Sequence, residues 1–424
     1  MQRTNVSSAS RRRQSGFTVL ELTISLFITA EVILAGLALF DFHNKLARVT
    51  TQVSDMQQSL RVAQYDMVRL GREAGRGGFP GTTMRGAWGA IAVRNNVGGA
   101  VSDQIAIGFP SSPKAVDGTD ILTLRGVLSS SVFQLNPVGG GFTFAGGTSP
   151  ATATTGTVVV CSTTPSGLPQ DLSLLVGAIA AGKPEALILV SPLNESVYAI
   201  VELNTANSDA TNLQASCPGA VAPNGVKLAF NITAGTYASQ FQVLSATTST
   251  AGLPPLLTSV AWLGILEEYR YYVRQDFVVP GNSATDPAPH LSRARMYPGT
   301  ETPYYNDSTY LQSDIADNVL DLQVALGVDT DGDGLISEAT PPGNTDEWLG
   351  NATGDTLTAT PGMTLRELRI STLAKTGSLD LQYQAPLLTN IEDHVYKPTD
   401  FANTAAGRRY RRRLLQTVVG LRNL

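Results

Sequence analysis

The chain has 424 residues, 42% of them hydrophobic and 15% charged, which is enough for a sizeable core and, by length, for two or three folded units. Its net charge of −5 leaves no basic surplus, so nothing in it points to nucleic-acid binding. Only two cysteines, Cys161 and Cys217, accompany 40 glycines and 23 prolines, a composition that suits a β-rich, loop-rich body in an extracytoplasmic compartment.

The first predicted element begins behind a basic leader, Arg11-Arg12-Arg13. Gly16-Phe17-Thr18-Val19-Leu20-Glu21 opens an apolar run that continues through residues 22–40, interrupted only by small hydroxyl residues and Glu31. About 24 apolar residues exceed the roughly 7–15 of a signal-peptide core and are long enough to span a bilayer. No small-residue cleavage site follows, and Asp41-Phe42-His43-Asn44-Lys45 stays helix-like. Glu21 is out of place in such a run, since a carboxylate costs about 2.5–3.5 kcal/mol at the bilayer centre. It is either functional or a stray charge in a plain signal anchor. Glu31 either pairs with a neighbouring subunit or marks where the anchor reaches the interface.

The six residues from Gly16 to Glu21 resemble the processing site of type IV prepilins. The resemblance implies that a membrane peptidase cuts between Gly16 and Phe17, that Phe17 becomes the methylated N-terminus, and that Glu21 is the fifth mature residue. Glu21 would then neutralise the terminal ammonium of an adjacent subunit inside the membrane.

Beyond the membrane, Leu46, Val49, Val53, Met56, Leu60, Ala63, Met67 and Leu70 alternate three and four apart, a heptad seam with polar residues such as Gln64 and Asp66 between its members. Gly71, Gly75, Gly77, Gly78 and Pro80 end the helix. From Phe17 to Ala74 it would measure roughly 87 Å at 1.5 Å per residue. The seam faces either another chain or the protein's own sheet, and periodicity alone does not separate the two.

From residue 90 strand patterns dominate. They fall at 103–108, 119–124, 157–161, the hairpin 186–190 and 197–201, 269–273, 276–279, 319–326 and 363–373, with a last strand entered through the basic segment 408–413. Residues 139–141, 152–156 and 280–281 are expected to be loops or turns. Residues 130–256 are poor in charge and rich in Gly, Thr, Ser and Ala, the mark of a β insertion or subdomain with long loops. Glu268-Tyr269-Arg270-Tyr271-Tyr272-Val273, Val319-Leu320-Asp321-Leu322-Gln323-Val324 with its acidic continuation, and the Arg-rich final strand resemble minor pilins of the PilW type. The fold class expected is α+β: a pilin-like long helix packed on antiparallel sheet, with a β-rich insertion. The expected divisions are a leader at 1–16, a transmembrane half at 17–40, an amphipathic half at 41–74 and a β-rich periplasmic or extracellular body at 75–424.

Asp329-Thr330-Asp331-Gly332-Asp333-Gly334 carries carboxylates at the first, third and fifth positions of an EF-hand-type loop, with Gly at the sixth. The carbonyl of Leu335 would follow. The twelfth position is Thr340 instead of Glu, so Glu338, Asp346 or Glu347 would have to complete a Ca²⁺ shell; otherwise the stretch is an acidic turn. Cys161 and Cys217 form a disulfide or remain two buried thiols. The Arg cluster at 408–413 either meets acidic partners or lines a solvated strand edge. His43, His290 and His394 stand isolated, and no phosphate loop, His-Glu-x-x-His or Gly-x-Ser-x-Gly is present, so no enzymatic activity is expected.

The resemblance implies a minor pilin that acts through its helix in pilus assembly. Its partners would be other minor pilins, the major pilin, prepilin peptidase and the inner-membrane assembly platform. It would move from the inner membrane to the cell surface. A type II secretion pseudopilin shares these parts. A membrane-anchored periplasmic binding protein or enzyme is the remaining alternative.

Overall fold

The computed structural model describes residues 17–77, 89–98, 115–135, 142–148, 152–192, 197–211, 217, 224–232, 257–274, 287–299, 304, 313–338, 346–355 and 364–422. Gly16 and the rest of the leader, Gly78, Pro80, Thr340, the turn at 193–195 and the elements expected at 103–108, 139–141 and 276–281 lie outside the described residues. The chain divides into two units, Met1–Asp55 and Met56–Leu424. Its architecture is α+β: one long apolar N-terminal helix and several sheets whose strand pairings, among the described residues, are all antiparallel.

The long helix is Val19–Glu73, 55 residues. In the first unit its side chains are exposed from Phe17 to Arg48, and this part is long and apolar enough to cross a membrane. In the second unit Met56, Leu60, Ala63, Met67 and Leu70 are buried, so the C-terminal members of the heptad seam pack within the chain itself.

Two sheets receive those last turns. A four-stranded sheet runs Trp348–Leu349, Val319–Asp329, Thr364–Lys375, Arg412–Gly420. A five-stranded sheet runs Ile91–Arg94, Ile121–Gly126, Glu267–Arg274, His290–Met296, Ser313–Asp317. Gln64 donates to Leu415 O (2.9 Å) and accepts from Thr417 Oγ1 (2.7 Å) on the first sheet. Asp66 accepts from Tyr271 OH (2.7 Å) and Arg293 Nη1 (2.9 Å) on the second. The sequence pattern puts both residues on a wet face. They are engaged because two sheets meet the helix from different sides, which widens the covered stripe beyond the seam.

The helix ends where its backbone is captured by the five-stranded sheet. Gly75 N donates to Arg125 O (2.9 Å), and Val127 N donates to Arg76 O (2.9 Å). Gly77 sits at φ +99°, and a Cβ there would lie 2.4 Å from Val127 Cγ2, so the turn admits only glycine.

The third large sheet has seven strands: Phe133–Gln134, Trp262–Ile265, Ala186–Val190, Tyr198–Asp209, Gly225–Asn231, Thr155–Cys161, Thr143–Ala145. The short helix Ser173–Ala181 adds Leu175 and Ala178 to its separate apolar core. Thr155 and Gly156, expected in a loop, open a strand because they pair with Asn231 and Phe230. The sheet reaches Ile265, past residue 256, since Trp262–Ile265 joins Ala186–Val190 in register. All of it lies in the connection between Ile121–Gly126 and Glu267–Arg274, which pair directly, Leu124 opposite Tyr269.

Strand Val319–Asp329 is buried on both faces, as its near-continuous apolar run requires. One face looks toward the helix. The other is covered by the segment after Lys375, where Leu373 packs with Ile391, Tyr396 and Ala402. The basic segment holds that cover in place: Arg408 Nε donates to Ala385 O (2.8 Å), Arg411 pairs with Asp380 (3.0 Å), and Arg412 Nη1 donates to Ala402 O (2.7 Å). These arginines are therefore internal ties, which neither sequence reading of the cluster anticipated. The strand they lead into is nevertheless a sheet edge.

Candidate functional site

At its N-terminus the long helix is closed by a reciprocal cap. Thr18 N and Oγ1 donate to Glu21 Oε2 (3.0 and 3.1 Å), and Glu21 N donates to Thr18 Oγ1 (3.3 Å). This is the capping box, and Thr-x-x-Glu is its sequence signal. Weighing Glu21 for its charge alone leaves this signal unused. Among the described residues Glu21 Oε1 has no partner, so the carboxylate keeps one acceptor open while it caps. The hydroxyls of the apolar run are also settled internally: Thr23 donates to Leu20 O (2.9 Å), Ser25 to Leu22 O (2.9 Å) and Thr29 to Ser25 O (2.7 Å). Every side-chain donor they carry is thus satisfied without water, as lipid requires. Glu31 is exposed and has no partner among the described residues. Phe17 is exposed at the helix start.

The second candidate is the acidic loop. Strand Val319–Asp329 delivers Asp329 into it, and the carboxylate oxygens of Asp329, Asp331 and Asp333 lie within 4.8 Å of one another. This donor set can hold a metal ion. Asp329 also accepts from Gly332 N (2.6 Å), Gly334 N (3.1 Å) and Arg366 Nε (2.9 Å). Asp331 and Asp333 each accept one amide two residues on, from Asp333 N (3.0 Å) and Leu335 N (2.7 Å). Glu338 does not join the gathered carboxylates; it pairs with Arg369, a cation supplied by the neighbouring strand Thr364–Lys375.

Glu347 does return to the loop, as a staple. Oε1 accepts from Thr330 N and Oγ1 (both 2.8 Å), and Oε2 accepts from Ser337 N (2.9 Å) and Oγ (3.2 Å). One carboxylate thus ties both ends of the turn. Burial pushes its pKa up, but the hydrogen bonds from Thr330 and Ser337 outweigh that and bring it down from 4.5 to about 2. Asp346 accepts from Trp348 N (3.0 Å) and Asn351 Nδ2 (2.9 Å).

Cys161 and Cys217 are joined in a disulfide, Cα–Cα 5.4 Å, which ties the end of strand Thr155–Cys161 to Cys217. His394, isolated in sequence, meets distant partners: its Nδ1 lies 2.9 Å from Asp321 Oδ2, and its ring stacks on Tyr396.

Compared with protein-family models, with curated proteins and with solved structures, the chain matches none.

The Glu347 staple has a pH signature. Because its folded pKa is depressed, its stabilisation is complete above about pH 4.5 and is lost as pH falls toward about 2. Hydrogen exchange, corrected for intrinsic rates, should show the Thr330 and Ser337 amides losing protection over that interval. In Glu347→Gln, protection should be weak throughout and lack the step. Unchanged protection of both amides below pH 2 would contradict the assignment.

Proposed function

We propose that the chain is a minor pilin. It is held in the inner membrane by residues 17–40, cut between Gly16 and Phe17, and drawn into a type IV pilus through its long helix. The observation that supports this reading is the division of that helix. Its apolar first part is bare while its last turns are seated on antiparallel sheet. An apolar helix face of this length finds a stable place only in lipid or against other apolar helices. Moving from one to the other is the assembly step, and no covalent chemistry in the body is needed for it.

Glu21 has the central role. Cutting before Phe17 creates an ammonium, and the open oxygen of Glu21 on a neighbouring subunit can receive it while the other oxygen keeps the helix capped. Pairing offsets the cost of about 2.5–3.5 kcal/mol that each charge carries in the membrane. The partners are prepilin peptidase, the inner-membrane assembly platform, other minor pilins and the major pilin. The body lies in the periplasm before extraction and on the fibre afterwards.

The acidic loop takes Ca²⁺ in this reading, through the carboxylates of Asp329, Asp331 and Asp333 and the Leu335 carbonyl. What supports it is the gathering of three carboxylates with a single guanidinium, Arg366, on one of them. Calcium should release or absorb heat on titration and raise the melting temperature, and chelation should reverse the rise. Silence in both measurements would leave the loop an acidic turn stapled by Glu347.

Glu21→Gln keeps a capping side chain but removes the charge. Membrane insertion and cutting should remain at the wild-type level, while the amount in sheared fibres falls roughly tenfold or more, the equivalent of about 1.4 kcal/mol. Undiminished incorporation would rule out charge neutralisation by Glu21.

A further inference from the structure

Next to the small hairpin formed by Asn390–Ile391 and His394–Val395 lies a cavity of about 230 Å³. Asp117, Thr119, Pro289, His394, Tyr396 and Asp400 contribute to its wall. The orientation of His394 is fixed from behind. Its Nδ1 lies 2.9 Å from Asp321 Oδ2 and 3.2 Å from Gln323 Nε2. Its ring stacks on Tyr396 with centroids 4.3 Å apart and planes inclined by 16°, and Tyr396 OH donates to the same Asp321 oxygen. With Nδ1–H given to Asp321, a neutral His394 presents Nε2 as an acceptor.

The imidazole fits beside residue 118 only because that residue is glycine. Gly118 is at φ +83°, and a Cβ there would lie 2.9 Å from Nε2. The rim adds two more acceptors. Asp117 is exposed with no partner among the described residues, and Asp400 accepts Lys397 N (2.6 Å) through one oxygen. The remaining wall is aromatic ring, proline and aliphatic carbon apart from Thr119, whose hydroxyl donates to Val116 O (2.7 Å). The volume is below the roughly 300–1,000 Å³ of pockets that take a drug-sized molecule, so the cavity suits a group the size of a side-chain head. These carboxylates and the imidazole are not gathered closely enough for a metal; among the described residues only Asp329, Asp331 and Asp333 are.

We propose that this cavity binds a flat organic cation of the guanidinium class, whose forked donors span acceptors too far apart for a metal or a single ammonium. Its donors would go to Asp117, Asp400 and His394 Nε2. Nothing in this depends on the pilin reading.

A pH dependence follows from the groups around the imidazole. Asp321 comes from strand Val319–Asp329, Asp393 from the hairpin, Tyr396 and Asp400 from the segment after it, and Asp117 and Asp120 from the opposing segment; Arg412 reaches toward Tyr396. Burial disfavours charge on His394, but Asp321, then Asp400 and Asp393, outweigh it and raise its pKa. A bound cation competes with that proton, so affinity should rise as pH increases through the His394 pKa and level off above it.

The chain has 3 histidines, so His394 ring resonances can be followed in the full-length protein in detergent. Arginine amide is the probe and citrulline amide its neutral isostere. The expected result at about pH 8 is a saturable shift of His394 with arginine amide and none with citrulline amide. Binding should weaken about tenfold or more at about pH 5, and by a similar factor in Asp117→Asn/Asp400→Asn with an unchanged melting temperature. Should the double variant lose stability, Asp117→Asn alone, at an exposed position, serves instead. A triarginine peptide binding more than about threefold tighter than the amide, beyond the statistical gain, would assign the cation to a protein partner, and equal affinity per residue to a free guanidinium compound; both keep the chemistry. The proposal is overturned by no shift at high millimolar arginine amide, by an equal shift with citrulline amide, or by undiminished affinity in the variant.

Discussion

The docking of the helix's last turns onto two different sheets is the constraint on which the rest of the second unit depends. Gln64 fills both of its hydrogen-bonding ends on the four-stranded sheet. Asp66 takes a phenol and a guanidinium from the five-stranded sheet. On either side of this pair in the chain, Ala63 and Met67 are fully buried. Removing either polar side chain would leave buried donors or acceptors unpaired, at about 1–3 kcal/mol each. Burial of the apolar seam supplies most of the attraction, and these two residues set the register at which it occurs.

The same economy governs the joints between sheets. Asp120 is buried and accepts Asn96 N and Val324 N (both 2.8 Å), so one carboxylate links the five-stranded sheet's neighbourhood to the central strand of the other. Its pKa is raised, first by burial and then by the nearby Asp321 and Asp393. Glu268 shows the opposite balance. Burial pushes its pKa up, but Arg125 and Arg270 outweigh that and hold it down. Because Ile121–Gly126 and Glu267–Arg274 pair directly, the seven-stranded sheet can vary in content without altering that pairing, provided its two ends leave and return at the same place.

Local features were legible in the sequence where a single period decides them. The apolar run and its flanking charges mark the membrane-length part of the helix, and glycines mark its end. The run from Val319 marks a strand covered on both faces. What stayed hidden depends on partners distant in the chain. The spacing that nominates Glu338 as a ligand cannot know that Arg369 stands across from it on the next strand. His394 is isolated in sequence because Asp321 is 73 residues away. Arg408 and Arg412 resemble part of a charged edge until the carbonyls they grip are in place. The Thr18–Glu21 cap is different: its signal is local, and it was obscured by the more conspicuous cost of a charge among apolar residues.

A bare apolar helix with a capped, carboxylate-bearing start is what a subunit needs if it is to leave lipid and enter a bundle of like helices. The most direct measurement is the N-terminus of the membrane-associated protein, read by mass spectrometry in cells with and without prepilin peptidase. The account predicts a chain that begins at methylated Phe17 only where the peptidase is present. A chain that begins at Met1 in both would contradict it and leave the helix as an anchor alone.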